Sequence, residues 1–185
     1  MKFLKFFIII FISLTTSIKA DLNKKLINQL EDGGKLIFIR HAYAPGNGDP
    51  NNFNLNDCST QRNLNVDGRK QSKYIGEFFR KNKIKIHKVL SSEWCRCKET
   101  ANIAFKNFST KSFLNSFYSS KFKKNKGKQI EELNNYVKKF KSNKNLVFVT
   151  HYVLISEVLN YGSSSGEIVV SDKNFNIIGT IETNF

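Results

Sequence analysis

KLIFIRHAYA, residues 35–44, joins a short apolar run to two residues that can do chemistry. The run is too short for a helix and two glycines precede it, so we predict a buried strand over Lys35 to Ile39. Arg40 and His41 follow at its carboxyl end, before a loop rich in Gly, Asn and Pro. Ligands of open α/β sheets bind beyond the carboxyl ends of strands. Both side chains are therefore predicted to face a crevice.

A second stretch repeats this arrangement far along the chain. NLVFVT, residues 145–150, is another apolar run of strand length, and His151 follows it directly. We predict that two buried strands each deliver a histidine to the same edge of one sheet.

The rest of the chain alternates between strand and helix patterns until a closing hairpin. This order predicts an α/β fold, a three-layer sandwich with a mostly parallel sheet flanked by helices and a C-terminal β-hairpin. Residues 107–128 read as irregular and basic. The predicted helices span residues 22–32, 66–81, 92–105, 129–141 and 152–160, and the other predicted strands span 88–91, 167–170 and 175–181.

Residues 1–20 have the pattern of a secretory signal peptide. Two lysines lie near the start, an apolar core follows, and small residues precede Ala20. An uncleaved membrane anchor is the alternative, but the apolar run is shorter than the roughly 20 residues that a span needs. We therefore expect a leader over 1–20 with cleavage near Ala20, one domain over 21–185, and a periplasmic or secreted protein without membrane attachment.

The formal charge of +15 falls to +12 once the three leader lysines are removed. The remaining lysines are scattered, which favours a solvated basic surface over a nucleic-acid site. Arginine is scarce: only five of the 30 basic residues are arginines. An arginine in such a chain suggests that a planar, bidentate donor is required. Arg40, Arg62 and Arg96 lie in loop or strand-end contexts, where they could converge on an anion.

The three cysteines are Cys58, Cys95 and Cys97. In an exported protein an odd count suggests one disulfide and one free thiol. Cys95 and Cys97 are too close in sequence to favour each other, so we expect Cys58 to pair with one of them. A zinc site would need a fourth ligand at a fitting spacing, so we expect no metal and no other cofactor.

The segments described above carry a resemblance to a known family. IRHA (39–42), the pair Ser91 and Ser92 with Arg96 and Thr100, and the pair Thr150 and His151 occur in the order found in the histidine phosphatase (phosphoglycerate mutase-like) superfamily. DCSTQRNL (57–64), GRKQ (68–71) and SGE (165–167) look like the small exported bacterial branch of that superfamily.

This resemblance implies a metal-independent phosphatase that acts on a small phosphorylated substrate. His41 would be the nucleophile and would form a phosphohistidine that water then hydrolyses. Arg40, Arg96 and His151 would surround the transferring phosphoryl group and neutralise its oxygens. Arg62 is a further candidate for a phosphate contact. A mutase is disfavoured by the exported compartment and by the short 107–128 segment.

Two departures from the family pattern bear on function. Ala42 stands where a glycine usually follows the Arg-His pair. The family's general acid is often a carboxylate in the region that here reads FLNSFY (113–118), which has none. Either substrates whose leaving groups need no protonation are favoured, or water donates the proton. The alternative is a non-catalytic phosphate- or anion-binding module on the same fold.

Overall fold

The computed structural model describes residues 24–183, which fold around one six-stranded sheet. The strands are β1 (Leu36–Arg40), β2 (Ile86–Ser91), β3 (Ser109–Thr110), β4 (Asn145–Thr150), β5 (Ile168–Ser171) and β6 (Ile177–Ile181). The helices are α1 (24–32), α2 (Val66–Lys81), α3 (Cys95–Phe105), α4 (Ser120–Lys123), α5 (Lys126–Lys138) and α6 (Tyr152–Leu159). Single 3₁₀ turns lie at Cys58–Thr60 and Ser112–Leu114.

The strand order is β3-β2-β4-β1-β5-β6. The pairs from β3 to β1 are parallel, whereas β5 runs antiparallel to β1 and forms the closing hairpin with β6. The predicted three-layer α/β sandwich with a mostly parallel sheet and a C-terminal hairpin is therefore confirmed.

Two apolar cores lie on opposite faces of the sheet because side chains alternate along each strand. Ile37 and Ile39 of β1 face one core, which is covered by α1, α2 and α3. Leu36 and Phe38 face the other core, which is covered by α5 and α6. β1 and β4 are buried on both faces, which explains why their sequences are continuous apolar runs rather than alternating patterns.

The predicted 66–81 helix and 145–150 strand match the structure. Asn65 begins α2 by accepting a hydrogen bond from the backbone N–H of Gly68 at 2.9 Å. The predicted α3 begins three residues too early, at 92 instead of Cys95. Ser92 does not begin the helix, because its N–H donates to the carbonyl of Val149 at 2.9 Å. The sheet is thus prolonged by one hydrogen bond beyond β2.

The segment predicted as irregular, residues 107–128, contains more structure than its sequence indicates. β3 adds a two-residue parallel strand beside β2, a 3₁₀ turn follows it, and α4 and the start of α5 complete the segment. No helix within residues 24–183 has the length and hydrophobicity required to span a membrane. The leader predicted over residues 1–20 lies outside the described residues.

Candidate active site

The carboxyl ends of three parallel strands meet at one edge of the sheet. Arg40 of β1 is in register with Thr150 of β4, and Ser91 of β2 is in register with Val149. His41 and His151 therefore leave adjacent strands side by side, and their ring centroids are 5.4 Å apart. The predicted juxtaposition of the two histidines is present.

His41 is held as one particular neutral tautomer. Its Nδ1 lies 2.9 Å from the carbonyl oxygen of Ala42. Because a carbonyl can only accept, Nδ1 carries the proton and Nε2 carries the lone pair. The Nε–H of Arg96 points at that Nε2 from 3.2 Å. Burial and the positive charge of Arg96 hold the pKa of His41 well below its usual value. The ring is therefore neutral at physiological pH, as a nucleophilic imidazole must be.

His151 is fixed through its Nε2 atom. This nitrogen lies 2.9 Å from the hydroxyl oxygen of Ser92, which in turn donates to Oδ1 of Asn115 at 3.0 Å. The hydroxyl proton of Ser92 is thus used by Asn115, so Nε2 of His151 carries the proton and donates to Ser92. Burial, the nearby charge of Arg96 and the proximity of His41 hold the pKa of His151 well below its usual value.

Arg40 has a buried donor without a protein partner. Its Nη1 donates to the carbonyl of Ser163 at 2.7 Å, and its guanidinium lies 5.4 Å from the centroid of the Tyr152 ring. Its Nε is buried and makes no hydrogen bond with the residues that the structure describes. Buried donors are almost always paired in folded proteins, so an orphaned N–H beside a cleft indicates a position for an acceptor. Burial lowers the pKa of Arg40.

Arg62 also reaches the cleft, but its guanidinium is engaged with the loop after β1. Its Nε donates to the carbonyl of Gly48 at 2.7 Å, and its Nη1 donates to the carbonyl of Ala44. Arg40, Arg62 and Arg96 thus converge as the sequence suggested. Arg62 mainly secures the loop, and its contact with phosphate stays a prediction.

A disulfide joins two segments that carry these arginines. Cys58 is bonded to Cys95, and their Cα atoms are 5.7 Å apart. The sequence left the partner of Cys58 open, and the structure identifies it as Cys95, the first residue of α3. Cys97 is a buried free thiol whose Sγ lies 3.5 Å from Nε2 of His151. Burial raises the pKa of Cys97 to about 12, so it remains a protonated thiol.

Ala42, which stands in place of the usual glycine, turns its methyl group away from the cleft. It packs with Ala44 and Leu64 in a small apolar cluster. Its backbone N–H donates to the hydroxyl of Thr100 at 3.1 Å, which ties the loop behind His41 to α3. The methyl group therefore does not obstruct the side of the loop on which His41 lies.

The cleft above these residues has a volume of about 380 Å³ and a rim that is aromatic and basic. The rim includes Tyr118, Lys121 and Tyr152, which are exposed. Phe53, Trp94 and Phe122 form a contacting group of rings along one wall. Within residues 24–183, no group of three His, Cys, Asp or Glu side chains is placed to hold a metal ion.

Asp49 is the functional candidate that the sequence reasoning missed. Its carboxylate is the only acidic group among the described residues that line the cleft. It forms an ion pair with Arg96, whose Nη1 lies 2.7 Å from Oδ1 and whose Nη2 lies 3.1 Å from Oδ2. The sequence offered one signal for Asp49, namely its position in the Gly- and Pro-rich loop that follows β1 and His41.

The family model described as the histidine phosphatase superfamily (branch 1) matches residues 36–134. This match covers more than half of the chain and includes the first strand, its loop and α3. The chain belongs to the histidine phosphatase superfamily, whose members are phosphatases or mutases. A search of curated protein sequences finds no significant match.

Solved structures with the same fold include both kinds of enzyme. The protein histidine phosphatase SixA complexed with tungstate is 14% identical, with a TM-score of 0.58 over 80% of this chain and 97% of that one. A structure from Agrobacterium tumefaciens, provisionally named phosphohistidine phosphatase SixA, is 16% identical, with a TM-score of 0.55 over 80% and 98%. A phosphoglycerate mutase from Thermus thermophilus is 15% identical, with a TM-score of 0.55 over 81% and 99%. At these identities the similarity shows the fold alone.

Proposed function

We propose that this protein is a metal-independent phosphatase that hydrolyses a phosphoester or phosphoramidate through a phosphohistidine on His41. The observation that carries the proposal is the hydrogen bond from Nδ1 of His41 to the carbonyl of Ala42. It leaves the lone pair on Nε2, to which the Nε–H of Arg96 donates, in a ring that burial and Arg96 keep neutral by lowering its pKa. Nε2 becomes the nucleophile when a phosphoryl oxygen takes over the Nε–H of Arg96.

In the first step Nε2 attacks phosphorus while the bond from phosphorus to the leaving group breaks. The leaving group departs with the electron pair and takes a proton from water. The unpartnered Nε of Arg40 and the guanidinium of Arg96 lie around this position and would stabilise the charge on the phosphoryl oxygens. The ring of His151 lies edge-on beside His41, but it is neutral and its one N–H donates to Ser92, so the phosphate contact that the resemblance implies for it requires a proton on Nδ1 and stays a prediction. In the second step water attacks phosphorus, the N–P bond breaks, and phosphate leaves with neutral His41 restored.

The substrate is expected to have a leaving group that departs without strong acid assistance. Asp49, the carboxylate in the cleft, is held in an ion pair with Arg96, and an ionised carboxylate has no proton to donate. Acyl phosphates, phosphohistidine and activated esters meet this requirement. The basic cleft favours such anions over neutral molecules.

The test is to mix the protein with an activated phosphoester labelled on phosphorus and to quench the reaction within one turnover. Wild-type protein should carry acid-labile, base-stable label, and His41→Ala should carry none and should lose turnover. His87→Ala is the matched control, because His87 is exposed and lies outside the cleft. Free phosphate as the product distinguishes a phosphatase from a mutase.

The alternative function, a non-catalytic phosphate- or anion-binding module, predicts a different result. Such a module would bind inorganic phosphate but show neither label nor turnover in the wild type, and the enzyme proposal would then be withdrawn.

We also propose that the protein belongs to the small exported bacterial branch of the superfamily and works in the periplasm. The leader pattern in residues 1–20 supports this, and so does the disulfide between Cys58 and Cys95, since disulfides persist in oxidising compartments. Expression of the full chain in a bacterium, followed by fractionation and N-terminal sequencing, tests the proposal. A mature protein that begins near residue 21 in the periplasmic fraction is expected, and a cytoplasmic protein that keeps residues 1–20 would contradict it.

A further inference from the structure

The guanidinium of Arg96 uses two edges for different partners. At its far end, Nη1 and Nη2 donate to the two carboxylate oxygens of Asp49 at 2.7 and 3.1 Å. Nη1 also donates to the carbonyl of Arg62 at 3.2 Å. At its side edge, Nε donates to Nε2 of His41 at 3.2 Å, and the second N–H of Nη2 has no partner among the described residues. The side edge thus faces His41 while Asp49 holds the far end.

A phosphoryl group on His41 would meet this side edge. The phosphorus would be bonded to Nε2, and the Nε–H of Arg96 is already directed at that nitrogen. Because the guanidinium is planar, Nε–H and the free N–H of Nη2 form a fork of the kind with which arginine binds two oxygens of one phosphate. The direction of this fork depends on how the far end of the guanidinium is held.

Asp49 is itself fixed by donors that do not belong to Arg96. The backbone N–H of Arg62 donates to Oδ1 at 3.1 Å, and Nε1 of Trp94 donates to Oδ2 at 3.1 Å. Each carboxylate oxygen therefore accepts one hydrogen bond from Arg96 and one from another group. Trp94 is buried and directly precedes α3, the helix that carries Arg96. These donors fix the plane of the carboxylate, and the carboxylate fixes the plane of the guanidinium.

The charge of Asp49 also offsets repulsion among the arginines of the cleft. Burial and the charge of Arg96 lower the pKa of Arg62, whereas the charge of Asp49 raises it. Asp49 is the only carboxylate among the described residues that line the cleft. Without it, the buried guanidinium of Arg96 would lack a counter-charge and would be repelled by Arg40 and Arg62. That repulsion would displace it from its position beside His41.

We propose that Asp49 is a positioning residue that turns the side edge of Arg96 toward the phosphoryl group on His41. This inference rests on the proposed function, because it takes His41 as the residue that is phosphorylated. The carboxylate acts through Arg96 and not on the reacting atoms. A fork that is oriented before the substrate binds stabilises charge on the phosphoryl oxygens without reorganising during the reaction.

The first experiment measures the rate at which His41 acquires label from the activated phosphoester within one turnover. Asp49→Asn keeps the size of the side chain but loses its charge and turns an amide N–H toward a donor. It should slow labelling by about 10- to 100-fold, the scale expected for a misplacement of about 1 Å. Asp49→Glu keeps the charge but moves the carboxylate by one methylene, and it should slow labelling by about tenfold. The second variant separates position from charge.

Glu99→Gln is the matched control. Glu99 lies on the same helix as Arg96 and forms an ion pair with Arg69 at 2.7 Å, outside the cleft. The substitution removes the same charge and breaks the same kind of ion pair, but it leaves Asp49 and Arg96 in place. Because this pair is partly exposed to solvent, its loss should change the labelling rate by less than about twofold.

A double-mutant cycle tests whether Asp49 acts through Arg96. Arg96→Lys keeps the positive charge but has no planar fork to orient. Adding Asp49→Asn to Arg96→Lys should slow labelling by less than about threefold, because residues that act as one unit have non-additive effects. Equal slowing in both backgrounds would overturn the inference, since Asp49 would then only support the fold of its loop.

A spectroscopic measurement reports the orientation of Arg96 without turnover. In the wild type the Nε–H of Arg96 is buried and hydrogen-bonded to His41, so its nuclear magnetic resonance signal should exchange slowly with water. Asp49→Asn and Asp49→Glu should speed this exchange several-fold, and Glu99→Gln should leave it unchanged. The same spectra show whether each variant is folded, and they stay informative for a variant that labels too slowly to measure.

The outcomes separate this inference from the proposed function. Labelling and exchange at wild-type rates in the Asp49 variants, with label on the wild type, would overturn the inference alone. A normal rate in Asp49→Glu beside a slow rate in Asp49→Asn would also overturn it, because charge and not position would then be decisive. Faster exchange in the Asp49 variants with no label on the wild type would support the positioning of Arg96 while overturning the phosphatase proposal.

Discussion

The bond between Cys58 and Cys95 is expected to provide a large share of the stability of the domain. It closes a loop with a sequence separation of 37 residues. The loop-closure entropy for that length corresponds to about 4 kcal/mol of unfolding free energy at 25 °C. For a domain of this size each kcal/mol shifts Tm by about 2–4 °C, so loss of the bond should lower Tm by about 8–16 °C.

Cys58→Ser is the cleanest perturbation, because Cys58 is exposed whereas Cys95 is buried in the start of α3. A serine at position 58 removes the cross-link and leaves the packing around Cys95 largely unchanged. Urea denaturation of the oxidised wild type and of the variant should differ by about 4 kcal/mol in unfolding free energy. A phosphine reductant should bring the wild type to the stability of the variant and leave the variant unaffected.

A difference below about 1 kcal/mol would refute this reasoning, because the denatured chain would then not be constrained by the cross-link. A difference near 4 kcal/mol that the reductant abolishes would confirm the disulfide as the main covalent support of the segments that carry Arg62 and Arg96.

Two further predictions concern the histidines and a glycine. Burial lowers the pKa of His41 and of His151, so below pH 6.5 the unfolded chain binds more protons than the folded protein. As the pH is lowered from 6.5, the unfolding free energy should therefore decrease by up to about 1.4 kcal/mol per pH unit for each histidine. Unfolding free energies that stay level from pH 6.5 to 5.5 would exclude this. Gly166→Ala should lower the unfolding free energy by about 2–4 kcal/mol, because φ is +71° and a Cβ would lie 2.3 Å from the buried side chain of Gln71. Gly34→Ala, with the same φ and no neighbour within 4 Å, should cost only about 1–2 kcal/mol, and equal losses in the two variants would contradict the steric argument.

The spacing of motifs along the chain predicted most of the proposed catalytic machinery. A strand that ends in Arg40 and His41 and a second that ends in His151 had to meet, because parallel strands present their carboxyl ends at one edge. The position of Arg96 followed from the order of motifs. The sequence did not reveal Asp49, since an aspartate in a loop of glycines and asparagines is also what an ordinary turn contains.

The sequence by itself determined the α/β class, the two central strands with the histidines that follow them, and the helix that begins after Asn65. These features depend on local hydrophobic periodicity and capping, which are written in consecutive residues. The inclusion of Arg96 in the set came from the resemblance to the histidine phosphatase family. Only the tertiary structure decided that Cys58 pairs with Cys95, that β3 adds to the edge of β2, and that Asp49 occupies the donors of Arg96. Each of these contacts joins residues that are distant along the chain or that lie in a loop. It forms only because the packed sheet and helices bring the two partners together.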